Sequence, residues 1–383
     1  MKIVTITDVC DIQVGKTPSR NNKTYWGEGA LWLSIADMNQ GSELRKTKET
    51  ITQKAIQECN CKLIPSGTVL FSFKLSIGKV GINKVPMYTN EAIAAFIIKD
   101  DAKLNTKFLY YVLKSVDHNI GSNRAVMGKT LNKKQLEQIK IPLPPLEDQK
   151  RIVAVLDQAD SLRQKRQKAI SLLDDYLKAV FLEMFGDPVM NPKGIKTAKI
   201  KDLGDVVTGN TPSRKVSDNY GDFIEWIKSD NINNHHYYLT KAVEYLSGKG
   251  LQKGRSVPAG SILVTCIAGS LSCIGNVSMT DRKVAFNQQI NAIVPKSGVE
   301  SSFLYSQILF GKKKFRQAST NSMKGMLSKS NFSEIELMNP DINLQKEYSR
   351  VFSYTYNLKQ KMLKQNEMLK KQFQALVQKS FKI

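Results

Sequence analysis

The feature that most constrains this chain is a long stretch, Leu146–Phe185, that contains neither glycine nor proline. Nearly all of its residues favour helix, and at about 1.5 Å per residue the helix would be roughly 60 Å long. Prolines precede the stretch, and a glycine and a proline follow it closely, as is common at helix ends. Two mainly apolar rows recur along it at seven-residue spacing: Leu156, Arg163, Ile170, Leu177 and Met184, and Ile152, Ala159, Arg166, Leu173 and Val180.

This heptad pattern is typical of a coiled coil, so the helix needs a partner. A second stretch without glycine or proline runs over residues 344–383. One row in it consists of Tyr348, Thr355, Met362, Leu369, Leu376 and Ile383; a second row, Val351 and Leu358, turns polar at Gln365 and Gln372, while Phe352 and Phe373 widen the apolar stripe. We predict an intramolecular antiparallel helix pair. The alternative is that each helix packs separately on its own globular domain.

The chain is also an internal repeat. Residues 15–20 read GKTPSR, and roughly 195 residues later residues 209–214 read GNTPSR. Further matches follow in the same order: Trp32 with Trp226, Pro65 and Gly67 with Pro258 and Gly260, Phe108-Leu109-Tyr110 with Phe303-Leu304-Tyr305, and Gln149-Lys150 with Gln345-Lys346. Chance does not produce such an ordered set, so the chain contains two copies of one unit, a globular domain followed by a long helix.

These observations predict an α+β fold in which two similar mixed α/β domains are separated by a long antiparallel two-helix coiled coil. An internal pseudo-two-fold axis would relate the two halves. The predicted boundaries are 1–145 for the first domain, 146–188 for the central helix, 189–340 for the second domain and 341–383 for the C-terminal helix. Two similar domains on a fixed spacer suit two half-sites on duplex DNA, as a symmetric dimer does.

Charge indicates the class of partner. Lys and Arg number 57 against 34 for Asp and Glu, which gives a formal charge of +23. This excess favours a polyanion, with nucleic acid first and an anionic membrane surface second, although a merely basic protein is the alternative. No apolar run reaches about 18 residues and no signal peptide is recognisable, so neither a membrane span nor export is expected. Five cysteines without a regular framework fit a reducing cytoplasm.

Several motifs together resemble the specificity subunit of type I restriction–modification systems, over the whole chain. They are the two Thr-Pro-Ser-Arg loops, the segment IPLPPLEDQ at 141–149 that leads into the first long helix, and the segment 177–188 that ends in Met-Phe-Gly-Asp-Pro. The second copy departs from the pattern, because 339–345 read NPDINLQ with one proline where the first copy has three.

The resemblance implies two target-recognition domains, each reading one part of a split, asymmetric DNA sequence. It also implies that the long helices set the gap and dock two methyltransferase subunits, with a restriction/translocase subunit as a further partner. S-adenosylmethionine is then expected on the methyltransferase partners, and ATP and Mg on the restriction subunit. No cofactor is expected in this chain, which would be non-catalytic.

The sequence itself contains no catalytic constellation that we recognise. A DNA amino-methyltransferase needs an Asn/Asp-Pro-Pro-aromatic motif that holds the flipped base, and the nearest string, at 339–342, lacks the second proline and the aromatic residue. No glycine-rich nucleotide-binding motif is present. His235 and His236 have no spaced cysteine or carboxylate partner, so we expect no metal site.

DNA contact is the chemistry that the composition supports. A turn that presents hydroxyls, backbone N–H groups and an arginine fork can hold phosphate or read guanine; alternatively, Thr and Ser cap the turn and the arginine is solvated. Basic and amide residues of two other loops in each half could also contact DNA, or be ordinary solvated loop residues. The candidates are Lys16, Thr17, Ser19, Arg20, Lys74, Lys79, Asn123, Arg124, Lys129, Asn210, Thr211, Ser213, Arg214, Lys215, Asn321 and Lys324.

Two other functions remain open on the sequence alone. One is a basic coiled-coil scaffold or adaptor that binds DNA without sequence preference. The other is a self-sufficient DNA enzyme whose site is not recognisable from motifs. Neither the target sequence nor the gap length follows from the residues, because recognition depends on loop geometry.

Overall fold

A computed structural model describes residues 2–74, 76–115, 131–232, 236–319 and 325–381. The chain divides into two compact units, one made of Met1–Arg166 with Gln365–Ile383 and the other of Gln167–Lys364. Each unit therefore contains part of both long helices. Among the described residues, no helix is long and apolar enough to cross a membrane.

The first unit is built from short strands with a few helices. Its elements are β1 (Ile3–Thr5), α1 (Ile6–Val9), β2 (Cys10–Val14), β3 (Trp26–Leu33), β4 (Glu43–Leu44), β5 (Glu49–Ile51), α2 (Gln53–Glu58), β6 (Val69–Ser72), β7 (Val80–Asn83), β8 (Tyr88–Thr89), β9 (Ile93–Ile98), α3 (Thr106–Ser115), α4 (Lys133–Glu137), β10 (Lys140–Pro142) and the start of α5 (Leu146–Phe185).

Three sheets organise this unit: β2-β9-β6-β7-β4, β5-β3-β8 and the pair β1-β10. Strand β6 reads Val-Leu-Phe-Ser and is buried on both faces, which explains why it is a continuous apolar run rather than an alternating one. Its Phe71 packs edge-on against Phe96 of β9 in the main core. The mixed α/β character expected for the first half is confirmed.

The second unit repeats this plan. Its elements are β11 (Thr197–Lys199), α6 (Ile200–Leu203), β12 (Gly204–Thr208), β13 (Tyr220–Ile227), β14 (Tyr245–Leu246), α7 (Gly248–Lys253), β15 (Ser256–Val257), β16 (Ile262–Thr265), β17 (Ile267–Ala268), β18 (Val277–Met279), β19 (Val284–Phe286), β20 (Ile290–Pro295), α8 (Ser301–Phe310), α9 (Lys312–Gln317), β21 (Gly325–Met326), α10 (Lys329–Glu334), β22 (Glu336–Met338) and α11 (Ile342–Ser380).

Strand order confirms the internal repeat. The sheet β12-β20-β16-β18 corresponds to β2-β9-β6-β7, the series β14-β13-β19 to β5-β3-β8, and the pair β11-β22 to β1-β10. The second unit also contains β15 at a sheet edge and the pair β17-β21, for which the described residues of the first unit show no counterpart. The two halves of the sequence therefore share these three sheet arrangements.

The two long helices pack together in each unit. In the first, Phe373 and Val377 of α11 share a core with Val153 and Leu156 of α5. In the second, Phe181 of α5 lies 5.5 Å from Tyr348 of α11, ring centroid to ring centroid. The beginning of each helix therefore meets the end of the other, and the predicted antiparallel pairing is confirmed. The central helix α5 spans Leu146–Phe185, which is the stretch without glycine or proline.

The predicted seam is correct on α5 and partly wrong on α11. Both predicted rows of α5 are buried or half-buried along their length. On α11 the row from Tyr348 to Leu376 is also buried or half-buried, and its last predicted member, Ile383, lies outside the described residues, but Gln365 and Gln372 are exposed. The second buried row lies one residue further on, at Phe352, Lys359, Asn366 and Phe373. Because two of its members are polar, the apolar pattern of the sequence could not identify this row.

A buried glutamine fixes the start of each long helix. Gln149 accepts a hydrogen bond from the backbone N–H of Asn105 at 2.8 Å and donates to the backbone oxygen of Pro144 at 2.9 Å. Gln345 does the same with Glu300 at 3.0 Å and Pro340 at 2.9 Å. The Gln-Lys match of the two sequence copies therefore marks a helix start that is tied to its own globular domain.

Candidate nucleic-acid interface

The first Thr-Pro-Ser-Arg loop leaves strand β2 and runs close against the backbone of strand β8. Gly15 allows this approach, because a Cβ there would lie only 2.3 Å from the backbone oxygens of Thr89 and Asn90. The N–H of Lys16 donates to the oxygen of Thr89 at 2.8 Å. The glycine that begins the motif is therefore required by the contact between backbones.

Side chains hold the rest of this loop against strand β3. Trp32 donates its indole N–H to the backbone oxygen of Lys16 at 3.1 Å, and Trp26 donates to that of Ser19 at 3.2 Å. The Thr17 hydroxyl bonds to the carboxylate of Glu91. Thr17 thus anchors the loop to the fold, while the side chains of Lys16 and Ser19 are exposed.

Arg20 is neither free nor simply solvated. Its guanidinium makes a two-point ion pair with Glu49, in which Nη2 donates to Oε2 at 2.9 Å. The guanidinium carbon lies 3.8 Å from the ring centroid of Trp26 and 5.2 Å from that of Trp32. The hydrogen bond from Arg20 lowers the pKa of the Glu49 carboxyl and raises the pKa of Arg20, so both groups are charged.

The second loop reproduces this arrangement after strand β12. A Cβ at Gly209 would lie 2.2 Å from the backbone oxygen of Asn287. Trp226 donates its indole N–H to the backbone oxygen of Asn210 at 3.3 Å, and the Thr211 hydroxyl bonds to Gln288. The side chains of Ser213 and Lys215 are exposed, whereas that of Asn210 bonds to the backbone oxygen of Lys253.

Arg214 occupies the place of Arg20. Its Nη2 donates to Oε2 of Glu244 at 2.8 Å, and its guanidinium carbon lies 5.1 Å from the ring of Tyr220 and 5.5 Å from that of Trp226. Glu244 is also bonded by Lys228. Hydrogen bonds from Lys228 and from Arg214 lower the pKa of the Glu244 carboxyl.

Strand pairing explains how each glutamate reaches its arginine. Glu49 of β5 lies directly opposite Trp32 of β3 in the register of the sheet. In the second unit the backbone N–H of Trp226 donates to the backbone oxygen of Glu244 at 3.0 Å. Opposite residues on paired strands place their side chains on the same face. Glu49 and Trp32, and likewise Glu244 and Trp226, therefore lie on one face of their sheet, and the guanidinium of the loop arginine packs against that face.

The remaining candidates lie elsewhere or outside the described residues. Lys74 and Lys79 flank the turn between β6 and β7, where Lys79 donates to the backbone oxygen of Ile35 at 3.2 Å and Lys74 lies 5.3 Å from the ring centroid of Phe73. Both are half-buried. Asn123, Arg124, Lys129, Asn321 and Lys324 lie outside the described residues.

Sequence reasoning missed the partners of the two arginines, namely Glu49, Glu244, Trp26 and Tyr220. A signal was present, since an aromatic-Gly pair precedes a tryptophan by six residues in both copies, at Trp26-Gly27 and at Tyr220-Gly221. The glutamates also match at the repeat offset. Within the described part of the chain, no group of three or more His, Cys, Asp or Glu side chains could hold a metal ion.

The family model described as "Type I restriction modification DNA specificity domain" matches residues 1–172 and 192–370. The chain belongs to this family. Each of its two matched segments contains one of the Thr-Pro-Ser-Arg loops. The family resemblance suggested by the sequence motifs is confirmed.

Similar proteins include specificity subunits of type I restriction enzymes. The MjaIX subunit of Methanocaldococcus jannaschii is 26% identical over 314 residues, which cover 76% of this chain and 65% of that protein. The HindI subunit of Haemophilus influenzae is 35% identical over 154 residues, which cover 39% of this chain and 32% of that protein. The aligned segments thus span less than two thirds of these relatives' own length.

Two solved structures have the same fold at low sequence identity. One, described under "complex assembly" and "conformational transition of the type I R-M system", has a TM-score of 0.63 and 15% identity, and the match covers 99% of this chain and 97% of the other. The second is the S subunit of a type I restriction–modification system from M. genitalium, with a TM-score of 0.56, 14% identity and coverage of 99% and 96%.

Proposed function

We propose that this chain is the DNA-specificity subunit of a type I restriction–modification complex and that each domain reads one half of a split duplex target. The observation that carries the proposal is the duplicated specificity domain, with the same loop motif, an aromatic pair and an arginine–glutamate ion pair in both copies. The formal charge of +23 supports a polyanionic ligand. Because the two domains differ elsewhere in sequence, we expect the two half-sites to differ.

The candidate contact residues are those of the two loops together with the neighbouring basic residues. Lys16, Ser19, Ser213 and Lys215 have exposed side chains that could reach phosphate or base edges. Lys74 and Lys79, and the candidates outside the described residues, remain proposed contacts. Hydroxyl and ammonium groups suit phosphate oxygens, which position a protein on duplex DNA without reading its sequence.

The proposal includes partners that carry the chemistry. Two methyltransferase subunits would dock on the long helices and bring S-adenosylmethionine, and a restriction subunit would bring ATP and Mg. The exposed apolar residues on α5, Val155, Leu162, Leu172 and Tyr176, support a protein partner along this helix. The helices would also set the gap between half-sites.

Selection of binding sites from random duplex DNA tests this function. We expect the full-length chain, assembled with methyltransferase subunits, to select two short fixed sequences separated by a gap of fixed length. Exchange of residues 1–145 for the corresponding domain of a relative should change one fixed sequence and leave the other. Enrichment of no sequence would favour the alternative of a basic scaffold without sequence preference.

A separate assay addresses catalysis. The purified chain alone should transfer no methyl group and cleave no DNA, because we recognise no catalytic motif in its sequence. The measurement is incorporation of labelled methyl groups into DNA, with the assembled complex as the positive control. If the chain alone showed turnover, and a single substitution in the chain abolished it, the result would favour the self-sufficient enzyme.

A further inference from the structure

We infer that Arg20 and Arg214 act as positioning residues. Each holds its recognition loop in place through a glutamate and an aromatic ring. The inference rests on the proposed function and deepens it, because it assigns a role to residues that sequence reasoning treats as direct DNA contacts. We call each set of arginine, glutamate and ring a clamp: Arg20, Glu49 and Trp26 in the first unit, and Arg214, Glu244 and Tyr220 in the second.

The first clamp uses both terminal nitrogens of the arginine and one face of its guanidinium. Both terminal nitrogens of Arg20 bind the Glu49 carboxylate, and one face of the guanidinium lies 3.8 Å from the Trp26 ring centroid. The neighbouring residue Ser19 accepts a hydrogen bond from the same Trp26 ring at 3.2 Å. The arginine is therefore a component of the contacts that fix the loop conformation.

The second clamp reaches the same result with different contacts. Tyr220 replaces the tryptophan and donates its hydroxyl to the backbone oxygen of Pro212 at 2.8 Å. Asn219, which precedes it, donates to the backbone oxygen of Ser213 at 2.9 Å. Both units therefore contain the arginine–glutamate pair, although the residues that support it differ. We expect this if the pair is needed to hold the loop in position.

Two physical arguments oppose a direct contact of these arginines with DNA. First, the two loops have the same Thr-Pro-Ser-Arg sequence and the same arrangement, so they cannot be what distinguishes two different half-sites. Second, Arg20 paired with Glu49 carries no net charge for phosphate, and leaving the pair would expose Glu49 to the DNA. This argument applies to the first clamp, because in the second unit Lys228 also pairs with Glu244. Half-site specificity is then expected from residues that differ between the copies and that the clamp holds in position.

The replacement Glu49→Gln separates positioning from direct contact by the sign of its effect. If the pair positions the loop, the loss of Glu49 lowers affinity for the first half-site by about tenfold, a typical size for a coupled pair. If Glu49 only competes with DNA for Arg20, its removal raises affinity. The matched control is Glu28→Gln, which removes an equal charge from an exposed position on strand β3.

The assay uses the complex and the target selected for it. Affinities are measured for that duplex and for duplexes with one or the other half-site scrambled. Glu49→Gln should lose affinity only where the first half-site is intact, and Glu244→Gln only where the second is intact, with Asp222→Asn as its control. An increase, no change, or an equal loss on every duplex would overturn the inference.

Two further measurements test the same inference, one with substitutions of the arginine itself and one with the salt dependence of binding. Arg20→Lys keeps the charge but not the two-point pair, so positioning predicts a loss similar to that of Arg20→Ala, whereas a phosphate contact would largely survive. The slope of log affinity against log salt should stay unchanged in all these variants; a decrease of about one would indicate a lost phosphate contact and overturn the inference.

Loop order can also be tested without DNA. Trypsin should cut the folded Glu49→Gln chain faster at Lys16 and Arg20 than it cuts the Glu28→Gln chain, because the loop has lost its anchor. Equal rates would contradict the clamp even if the wild-type complex selects a split target. Absence of any selected target, with faster cleavage, would instead contradict the proposed function alone.

Discussion

Within the second unit, one polar cluster interrupts the helix seam. Lys359 of α11 donates to Asp174 of α5 at 2.6 Å and lies 4.5 Å from the ring centroid of Tyr237. The Tyr237 hydroxyl also bonds to Asp174, and burial raises the pKa of Tyr237, so its proton remains available for that bond. The side chain of Lys359 is 8% exposed, but that of Asp174 is 47% exposed.

This difference in exposure predicts unequal effects of breaking the pair. Asp174→Asn leaves a buried ammonium without its counter-ion and should lower the free energy of unfolding by about 3 kcal/mol. Lys359→Met leaves a carboxylate that water can reach, so the change should stay within about 1 kcal/mol. Urea unfolding of the two variants measures both effects. Equal losses would show that the desolvation of Lys359 does not control the energetics of the pair.

A second ion pair predicts a dependence of stability on pH. Arg282 binds Glu225 with both Nε and Nη2, and the Glu225 side chain is 11% exposed. The hydrogen bond from Arg282 lowers the pKa of Glu225 below its usual 4.5. A lowered folded-state pKa stabilises the fold above the unfolded-state value, and that stabilisation is lost as pH falls through the folded-state value.

We therefore expect Glu225→Gln to be less stable than wild type by about 2 kcal/mol at neutral pH. The difference should shrink as pH falls below 4.5, because the wild-type carboxylate becomes protonated. Urea unfolding across this range is the measurement, and Glu347→Gln at an exposed position of α11 is the control. A difference that stays constant with pH would mean that the charge of Glu225 is not what stabilises the fold.

At this scale the sequence identified single residues better than pairs. Arg20 and Arg214 stood out because their motif is repeated, but Glu49 and Glu244 lie about 30 residues away and reach them only through strand pairing. Lys359 and Asp174 are further apart along the chain. Contacts of this kind depend on register, which a pattern of residues in one strand or helix does not specify.

Among the elements, the long helices were the most predictable, because their period and their lack of glycine and proline are local properties. The helix α5 spans Leu146–Phe185 and α11 spans Ile342–Ser380, and the stretches without glycine or proline run over 146–185 and 344–383. Short strands such as β4 and β14 have two residues each and leave no periodic signal. Their partners in the sheets are distant in sequence, so strand order could not be predicted.

The seam of the second unit should tolerate loss of an exposed ring but not of a buried one. Phe181 of α5 is fully buried, with ring centroids 5.2 Å from Phe310 and 5.5 Å from Tyr348. Phe181→Ala should lower the free energy of unfolding by about 3–5 kcal/mol through lost burial and a residual cavity. Tyr176→Ala, on the same helix with 51% exposure, should change it by about 0.5 kcal/mol or less.

Chemical denaturation followed by circular dichroism distinguishes the two variants. A similar small effect of both would show that α5 does not depend on this aromatic cluster for its place in the second unit. A comparable test in the first unit is Phe381→Ala, since the Phe381 ring lies 5.3 Å from that of Phe108.

For the whole molecule, the division into units has a consequence for engineering. Both long helices continue from one unit into the other, and the division falls after Arg166 in α5 and after Lys364 in α11. The two segments that connect the units are therefore helical. Under the proposed function these segments separate the two target-recognition domains, so their length should determine the gap in the DNA target.

Insertion of one heptad in both helices, between Arg166 and Gln167 and between Lys364 and Gln365, tests this relation. Seven residues add roughly 10 Å of helix, which equals about three base pairs of duplex DNA. The insertion keeps the seven-residue seam of each helix in register. We expect the variant complex to select the same two half-sites with a gap about three base pairs longer, from a library with randomised gap length.

The selected gap is the informative readout, because affinity responds to rotation as well as to length. Three extra base pairs turn the DNA by roughly 100°, so the second domain meets a rotated groove and binding should weaken. A heptad inserted in one helix only is the control, since it breaks the seam and should destabilise the protein. Selection of the original half-sites at the original gap by the double insertion would show that the helices do not set the spacing.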